Sequence, residues 1–267
     1  VNEESLVRLS VFIGVLVVMA LWQVLAPKKE LIQGYKRWPA NLGLIVVDSI
    51  VARVLLPAGS VGAAAWAAQH GVGVLPALGL SPWVSIVLAV IVLDLIVYLQ
   101  HVLFHAAPTL WRLHQVHHAD RDIDVTTGLR FHPIEIVISM LIKITAVVAF
   151  GVPVLAVVIF EIILNAMAMF NHSNIRFPKV LDSMVRLLFV TPDMHRVHHS
   201  IIVRETNSNY GFNLSLWDRI FGTYRAQPEL GHDGVVIGLP EYQDKPTHQL
   251  GWMLKLPFAK KIYLKED

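Results

Sequence analysis

The sequence predicts an all-α integral membrane protein of four to five transmembrane or re-entrant helices, capped on the cytoplasmic side by a polar helical region. Three observations carry that prediction. The 267 residues are 55% hydrophobic and only 16% charged, with a mean hydropathy of +0.56, whereas an average soluble chain is about 25% charged. Apolar runs approaching the roughly 20 residues that cross a bilayer recur along the chain. Of the 13 histidines, all but His70 lie after residue 100, so the polar chemistry is set apart from the first apolar passages. This composition excludes disordered, collagen-like and coiled-coil chains. A net charge of +2 gives no strong pull on polyanions, and nucleic acid is not an expected partner. With no cysteine there are no disulfides, thiolate metal sites or cysteine nucleophiles.

The first passage runs from Leu9 to Ala26 without a charge, closed by Trp22, Lys28 and Lys29. A secretory signal is the competing reading, but Asn2, Glu3 and Glu4 stand where a basic n-region would be. The second stretch, 42–68, carries Asp48 and Arg53 and is loosened by Pro57, Gly59 and Gly62. It reads either as one long broken helix or as a span plus a re-entrant piece. The third, Pro82 to Gln100, has Asp94 as its only charge. A polar, histidine-rich stretch then leads to His132, followed by apolar runs at 134–150 and 153–170. Gly151-Val152-Pro153 between them reads as a tight turn, which makes the pair a helical hairpin. Lys143 and Glu161 fall at similar depth on its two arms. An unpaired charge there costs at least ~2.5 kcal/mol, so the two are expected to pair.

Orientation follows from the placement of lysine and arginine. Lys28, Lys29, Lys36 and Arg37 put the loop after the first span inside. The 69–81 loop, with neither residue type, faces out. Arg112, Arg121 and Arg130 then lie inside, as do Arg176, Lys179 and the basic C-terminal region. Every histidine-rich stretch thus falls at a cytoplasmic helix end, and the expected location is a bacterial inner membrane.

Three clusters gather there: His101-Val-Leu-Phe-His105, His114-Gln-Val-His117-His118 and His195-Arg-Val-His198-His199. Spacings of three and four share a helix face. Thr191-Pro192 reads as N-cap and first helical position for the third cluster, and His132-Pro133 opens the hairpin with Glu135 in its first turn. Neutral imidazole suits zinc, copper, iron and nickel, and eight imidazoles exceed what one metal uses, so the count fits two metals. Asp94, Tyr98, His101 and His105, spaced 4, 3 and 4, share one face. Asp94 is therefore expected to accept the free N–H of a ligating histidine. His70, His232 and His248 read as ordinary core or surface histidines.

Taken in order, HVLFH, LHQVHH, RFHPIE, FNHS and HRVHHS, followed by NYG (209–211) and WDRIFGTY (217–224), resemble the fatty acid hydroxylase/sterol desaturase superfamily of membrane di-iron oxygenases. The resemblance covers roughly residues 90–225, within a single membrane-embedded catalytic domain (1–267) whose tail is 226–267. One departure is Tyr98-Leu-Gln-His101-Val, which lacks the Trp and Arg of the YWxHR stretch found in many members. The resemblance implies two iron ions, with zinc as a substitute in purified protein, and O2 as co-substrate. It implies His101, His105, His114, His117, His118, His195, His198 and His199 as ligands, His172 as a further one, and His132 as either ligand or orienting residue. Asp94, Tyr98, Glu135 and Asn171 complete the candidate catalytic set, Asn171 through a water.

The implied reaction is oxidation of an unactivated C–H bond of a membrane lipid such as a fatty acyl chain or sterol, as hydroxylation or desaturation. There is no GxGxxG and no cysteine for an iron–sulfur cluster. Electrons must therefore come from an external ferredoxin- or cytochrome-type donor with its reductase. Trp217, Ile220 and Phe221 read either as an interfacial amphipathic stretch or as core. The alternative function is a histidine-rich membrane metal transporter or metal-binding protein. A transporter would need polar residues threading across the spans, whereas these clusters stop at one side. A zinc hydrolase would show HExxH, which neither HxxHH cluster does.

Overall fold

Among the described residues, five helical passages are long and apolar enough to cross a membrane: Glu4–Leu25, Gly34–Ala77, Pro82–Ala106, Pro133–Phe150 and Val154–Asn171. They are seen in a computed structural model that describes residues 3–259. The end of the expected basic C-terminal region, residues 260–267, lies outside the described residues. The fold is all-helical, and among the described residues β-pairing is limited to three isolated bridges.

α1 (Glu3–Leu25) runs into the cap, where Lys28 N–H bonds Asn174 O at 2.9 Å. α2 (Trp38–Leu55) runs back out of it, and Leu56-Pro57-Ala58 interrupts the helix before α3 (Gly59–Gln69). The break lies at mid-depth, since a Cβ on Gly59 would sit 3.9 Å from Met140, near the middle of a later span. α3 continues toward the far face, with a short α4 (Val74–Ala77) completing the turn there. The second apolar stretch is therefore one interrupted passage.

α5 (Pro82–Ala106) extends beyond the apolar run and carries His101 and His105 on its last turns. It stops at Ala107, which is extended (ψ 116°) because the following Pro108 disfavours helix. Pro108 then opens α6 (Pro108–His118). α7 (Pro133–Phe150) and α8 (Val154–Asn171) form the expected hairpin. At its turn Gly151 is left-handed (φ 62°), and a Cβ there would meet Val72 O at 2.5 Å. Only glycine permits that approach, which ties the far end of the α7–α8 hairpin to the α3–α4 turn.

The membrane core is built largely from small and branched residues, Ala64, Ala89, Leu93, Val147, Ala156 and Val157 among them, with Phe160 beside them, as close helix approach requires. Lys143 Nζ pairs with Glu161 Oε1 at 2.9 Å as expected, and Arg8 of α1 joins the same carboxylate. Packing in the cap is anchored by a buried cation. Arg37, fully buried, donates to Asp120 at 2.5 Å and to Asp124 at 2.6 Å, with Asp122 3.4 Å away. This network fixes the start of α2 to the loop that follows α6. The rest of the cap comprises α9 (Lys179–Val185), α10 (Pro192–His198), α11 (Val203–Thr206), α12 (Leu216–Ile220), α13 (Gly231–Gly234) and α14 (Leu250–Lys255). α12 lies against the middle of α5: Trp217 Nε1 donates to Asp94 at 2.8 Å, while Ile220 and Phe221 are exposed.

Candidate metal centre

Four structural elements deliver nine buried imidazoles to one place. α5 contributes His101 and His105, and α6 contributes His114, His117 and His118. His172 is the C-cap of α8. α10 brings His195 and His198, with His199 as its C-cap; Thr191 Oγ1 accepts from Met194 N–H at its start, as the Thr-Pro signal predicts. The nitrogens fall into two groups, each within 4.8 Å: His101, His105, His114, His118 and His198 in one, His117, His172, His195 and His199 in the other.

Each HxxHH motif is divided between the groups. His114 and His118, four apart, share a face and one group, while His117 turns to the other. In the second motif His195 and His199 stay together, and His198 crosses over. Each motif lends its middle histidine to the other's centre.

The outer ring nitrogens are held by acceptors. His101 Nδ1 donates to Tyr210 O at 2.8 Å, His198 Nδ1 to Ser208 O at 2.7 Å, His172 Nδ1 to Ala168 O at 2.7 Å and His117 Nδ1 to Arg130 O at 3.2 Å. A backbone carbonyl can only accept, so Nδ1 carries the hydrogen and Nε2 keeps its lone pair. His114 Nδ1 meets the Glu135 carboxylate at 2.7 Å with the same consequence. Yet His101 Nε2 faces His114 Nε2 at 3.1 Å, and His117 Nε2 faces His172 Nε2 at 3.1 Å. Two lone pairs cannot bond one another, and a cation satisfies both. The buried Nε2 atoms of His105, His118, His198 and His199 likewise have no partner among the described residues. The donor set therefore fits two imidazole-bound metal ions.

Burial keeps these rings neutral, the form that ligates. It pulls His114 and His172 down to about 3, and His117, His118, His195, His198 and His199 well below the ordinary histidine value, where neighbouring histidines add to the effect.

Other candidates lie elsewhere. Asp94 reaches no histidine; its Oδ2 accepts from Trp217 Nε1 and from Leu214 N–H at 3.3 Å, because α12 fills the space beside it. This corrects the expectation that Asp94 orients a ligand. Tyr98 bonds Thr223 at 2.9 Å and stacks on Phe221. His132 stands outside both groups: its Nδ1 caps α7 by accepting from Ile134 N–H at 3.2 Å, and its Nε2 faces Leu254 O at 3.3 Å. Asn171 donates to Phe212 O at 2.9 Å, and its buried Oδ1 has no partner among the described residues. Glu135 is the carboxylate that bonds His114 Nδ1.

Sequence reasoning missed the 207–210 loop. Asn207 Oδ1 lies 3.3 Å from His105 Nδ1, and Ser208 and Tyr210 supply carbonyls. Asn209 takes a left-handed φ of 51°, and its Nδ2 donates to Met194 O and Arg225 O. Asp218 accepts from Tyr210 and Gly211 N–H at 2.7 and 2.8 Å. The NYG and WDRIFGTY segments were the available signal; their task is to aim carbonyls at the histidines.

A cavity of about 680 Å³ reaches the centre from within the membrane. His101, His114, His117 and His195, two from each group, line its inner end. Leu93, Val97, Phe104, Ile136 and Leu164 line its apolar wall, and the α2–α3 break its other end.

Residues 86–223 match the family model described as fatty acid hydroxylase. The chain is 29% identical over 144 residues to the ornithine lipid hydroxylase OlsE of Rhizobium tropici, covering 54% of this chain and 43% of that one. It is 31% identical over 160 residues to the alkylglycerol monooxygenase of Homo sapiens (59% and 33%), and 29% over 161 residues to that of Caenorhabditis elegans (60% and 30%). The chain thus matches less than half the length of each of these relatives. No solved structure matches.

Proposed function

The chain belongs to the fatty acid hydroxylase family, and we propose that it is a di-iron monooxygenase that hydroxylates an unactivated C–H bond of a membrane lipid. Desaturation is the other outcome of the same C–H abstraction. The observation that carries this reading is the cavity, which opens within the apolar bundle and ends on histidines of both groups. The relatives named for action on ornithine lipid and alkylglycerol support a lipid substrate.

Two irons bound by the nine imidazoles would supply the oxidising power that no side chain has, with O2, two electrons and two protons consumed as the C–H bond becomes an alcohol and one water is released. The rest falls to the protein. Carbonyls of Tyr210, Ser208, Arg130 and Ala168 lock four rings with Nε2 inward, and Glu135 raises the basicity of His114. Phe131 stacks on His117 with centroids 4.5 Å apart, holding the ring that crosses between the groups. Leu93, Val97, Phe104 and Ile136 give a lipid chain an apolar wall and keep water from the reacting carbon.

Electrons come from an external ferredoxin- or cytochrome-type donor. The lysine and arginine distribution supports a cytoplasmic cap, and the bacterial relative supports an inner membrane location.

The test is metal analysis of protein purified anaerobically under reducing conditions, together with O2 uptake on addition of membrane lipids and mass spectrometry of the lipids. Two irons per chain and lipid-dependent uptake with an added hydroxyl are expected. Iron-loaded, reduced protein that consumes no O2 with any membrane lipid class overturns the proposal.

A further inference from the structure

Three cations lie within the membrane-spanning helices: Arg8 of α1, Arg53 of α2 and Lys143 of α7. Arg8 and Lys143 both pair with Glu161, and Arg8 also with Glu4 at 3.2 Å. Arg53 has no ion pair or hydrogen bond among the described residues. It is exposed, and it stands one turn before the α2–α3 break.

Its position is set by the cavity. Ile45, Asp48, Ser49, Ala52, Arg53 and Leu56 line the cavity at spacings of three, one, three, one and three, which is a single face of α2. The exposed members of the lining near the break are Arg53, Pro57 and Ala58. The broken backbone thus leaves a mouth in the side of the bundle, and Arg53 stands on its rim. The break is at the depth of Met140, the eighth residue of the 18 in α7. An unpaired arginine is costly to keep at such depth, and a fold that holds one there normally provides it a partner. Among the described residues, the carboxylates of the lining do not serve: Glu4 is bonded to Arg8, Glu161 to Arg8 and Lys143, Glu135 to His114, and Asp48 makes no ion pair with Arg53.

We propose that Arg53 is the substrate-recognition residue of this site, and that the lipid it admits carries an acidic group, phosphate or carboxylate. The planar guanidinium binds either anion through paired N–H donors. The acidic group stays at the rim while the attached chain extends along the α2 face to the histidines. This assignment rests on the lipid-oxygenase reading and narrows its substrate class to anionic or zwitterionic lipids.

The experiment reconstitutes wild type, Arg53→Gln and Arg53→Lys in vesicles of uncharged glycosyl diacylglycerol containing a minor fraction of phosphatidylglycerol, oleate or diacylglycerol. Lipid retained by the protein is quantified by native mass spectrometry, and metal content is measured in parallel. Wild type is expected to enrich phosphatidylglycerol, oleate or both over diacylglycerol by about tenfold, the worth of a charge-assisted hydrogen bond. Arg53→Gln loses that enrichment with metal content unchanged, and Arg53→Lys keeps part of it. Enrichment of phosphatidylglycerol alone identifies a phosphate headgroup; enrichment of oleate alone identifies a carboxylate. Equal retention of diacylglycerol by wild type, or undiminished enrichment in Arg53→Gln, overturns the assignment. Intact enrichment in a protein without O2 chemistry would instead remove the oxygenase reading and leave the anion site standing.

Discussion

The two histidine groups differ by one imidazole and, more tellingly, by how their rings are held. In the five-histidine group, His101, His105, His114 and His198 each have an acceptor on Nδ1: two carbonyls, Asn207 and Glu135. In the four-histidine group only His117 and His172 do, while His195 Nδ1 and both nitrogens of His199 have no partner among the described residues. A ring already fixed loses less entropy on ligation, and a carboxylate behind it makes it a better donor. On the proposed dimetal reading, the five-histidine group is therefore expected to bind its metal more tightly than the four-histidine group. The near-identical HxxHH motifs give no hint of this asymmetry, which comes from the 207–210 loop and Glu135 lying behind one group only.

The largest expected effect is on the exchange of middle histidines. His117→Ala plus His198→Ala leaves four imidazoles in one group and three in the other, and is expected to strip the four-histidine site of its metal and weaken the other; full metal content by plasma emission spectrometry would sink the ligand set. Single changes sharpen the contrast. His199→Ala is expected to leave one iron per chain, whereas His105→Ala, which still has four imidazoles around its metal, retains close to two. Equal losses from the two would erase the distinction. A milder change is Glu135→Gln, which keeps the shape of the side chain but removes its charge. It is expected to weaken the five-histidine site about tenfold in chelator competition while sparing the other.

The smallest effect concerns acid. In the metal-free protein the buried rings are neutral, with His114 and His172 down at about 3, whereas an unfolded histidine takes a proton near 6.5. Their folded values are depressed, so the stability they preserve is fully present above about pH 6.5 and is lost progressively as pH falls from there toward 3. The melting temperature of metal-free protein should therefore fall between about pH 6.5 and 5, and that of iron-loaded protein should fall less. A melting temperature insensitive to pH over that window would contradict neutral burial.

What the sequence made legible was whatever is local. Helical spacing identified eight of the nine clustered histidines, and family resemblance supplied His172, a lone residue with no spacing signal. The hairpin turn and the Lys143–Glu161 pair followed from glycine, proline and the cost of isolated charge. What failed depended on chain distant in sequence. Asp94 is on the expected face of α5, but Trp217 lies against it. Arg8 lies just before the uncharged run, and its partnership with Glu161 required α1 and α8 to be adjacent. His132 matched a motif and proved to be a helix cap. Periodicity gives the direction of a side chain from its own helix; it says nothing of which other element stands opposite.

The interruption between α2 and α3 has a kinetic meaning. A site entered through the side of a bundle draws on molecules diffusing in a plane, so the driving variable is the mole fraction of substrate in the bilayer, not its molarity in the tube. Diluting the substrate with inert lipid should slow turnover even when total substrate and enzyme are constant, and apparent affinities will change with every detergent-to-lipid ratio. Under the proposed hydroxylation, a product more polar by one hydroxyl would re-enter the same sheet by the same break and compete there with the next substrate molecule.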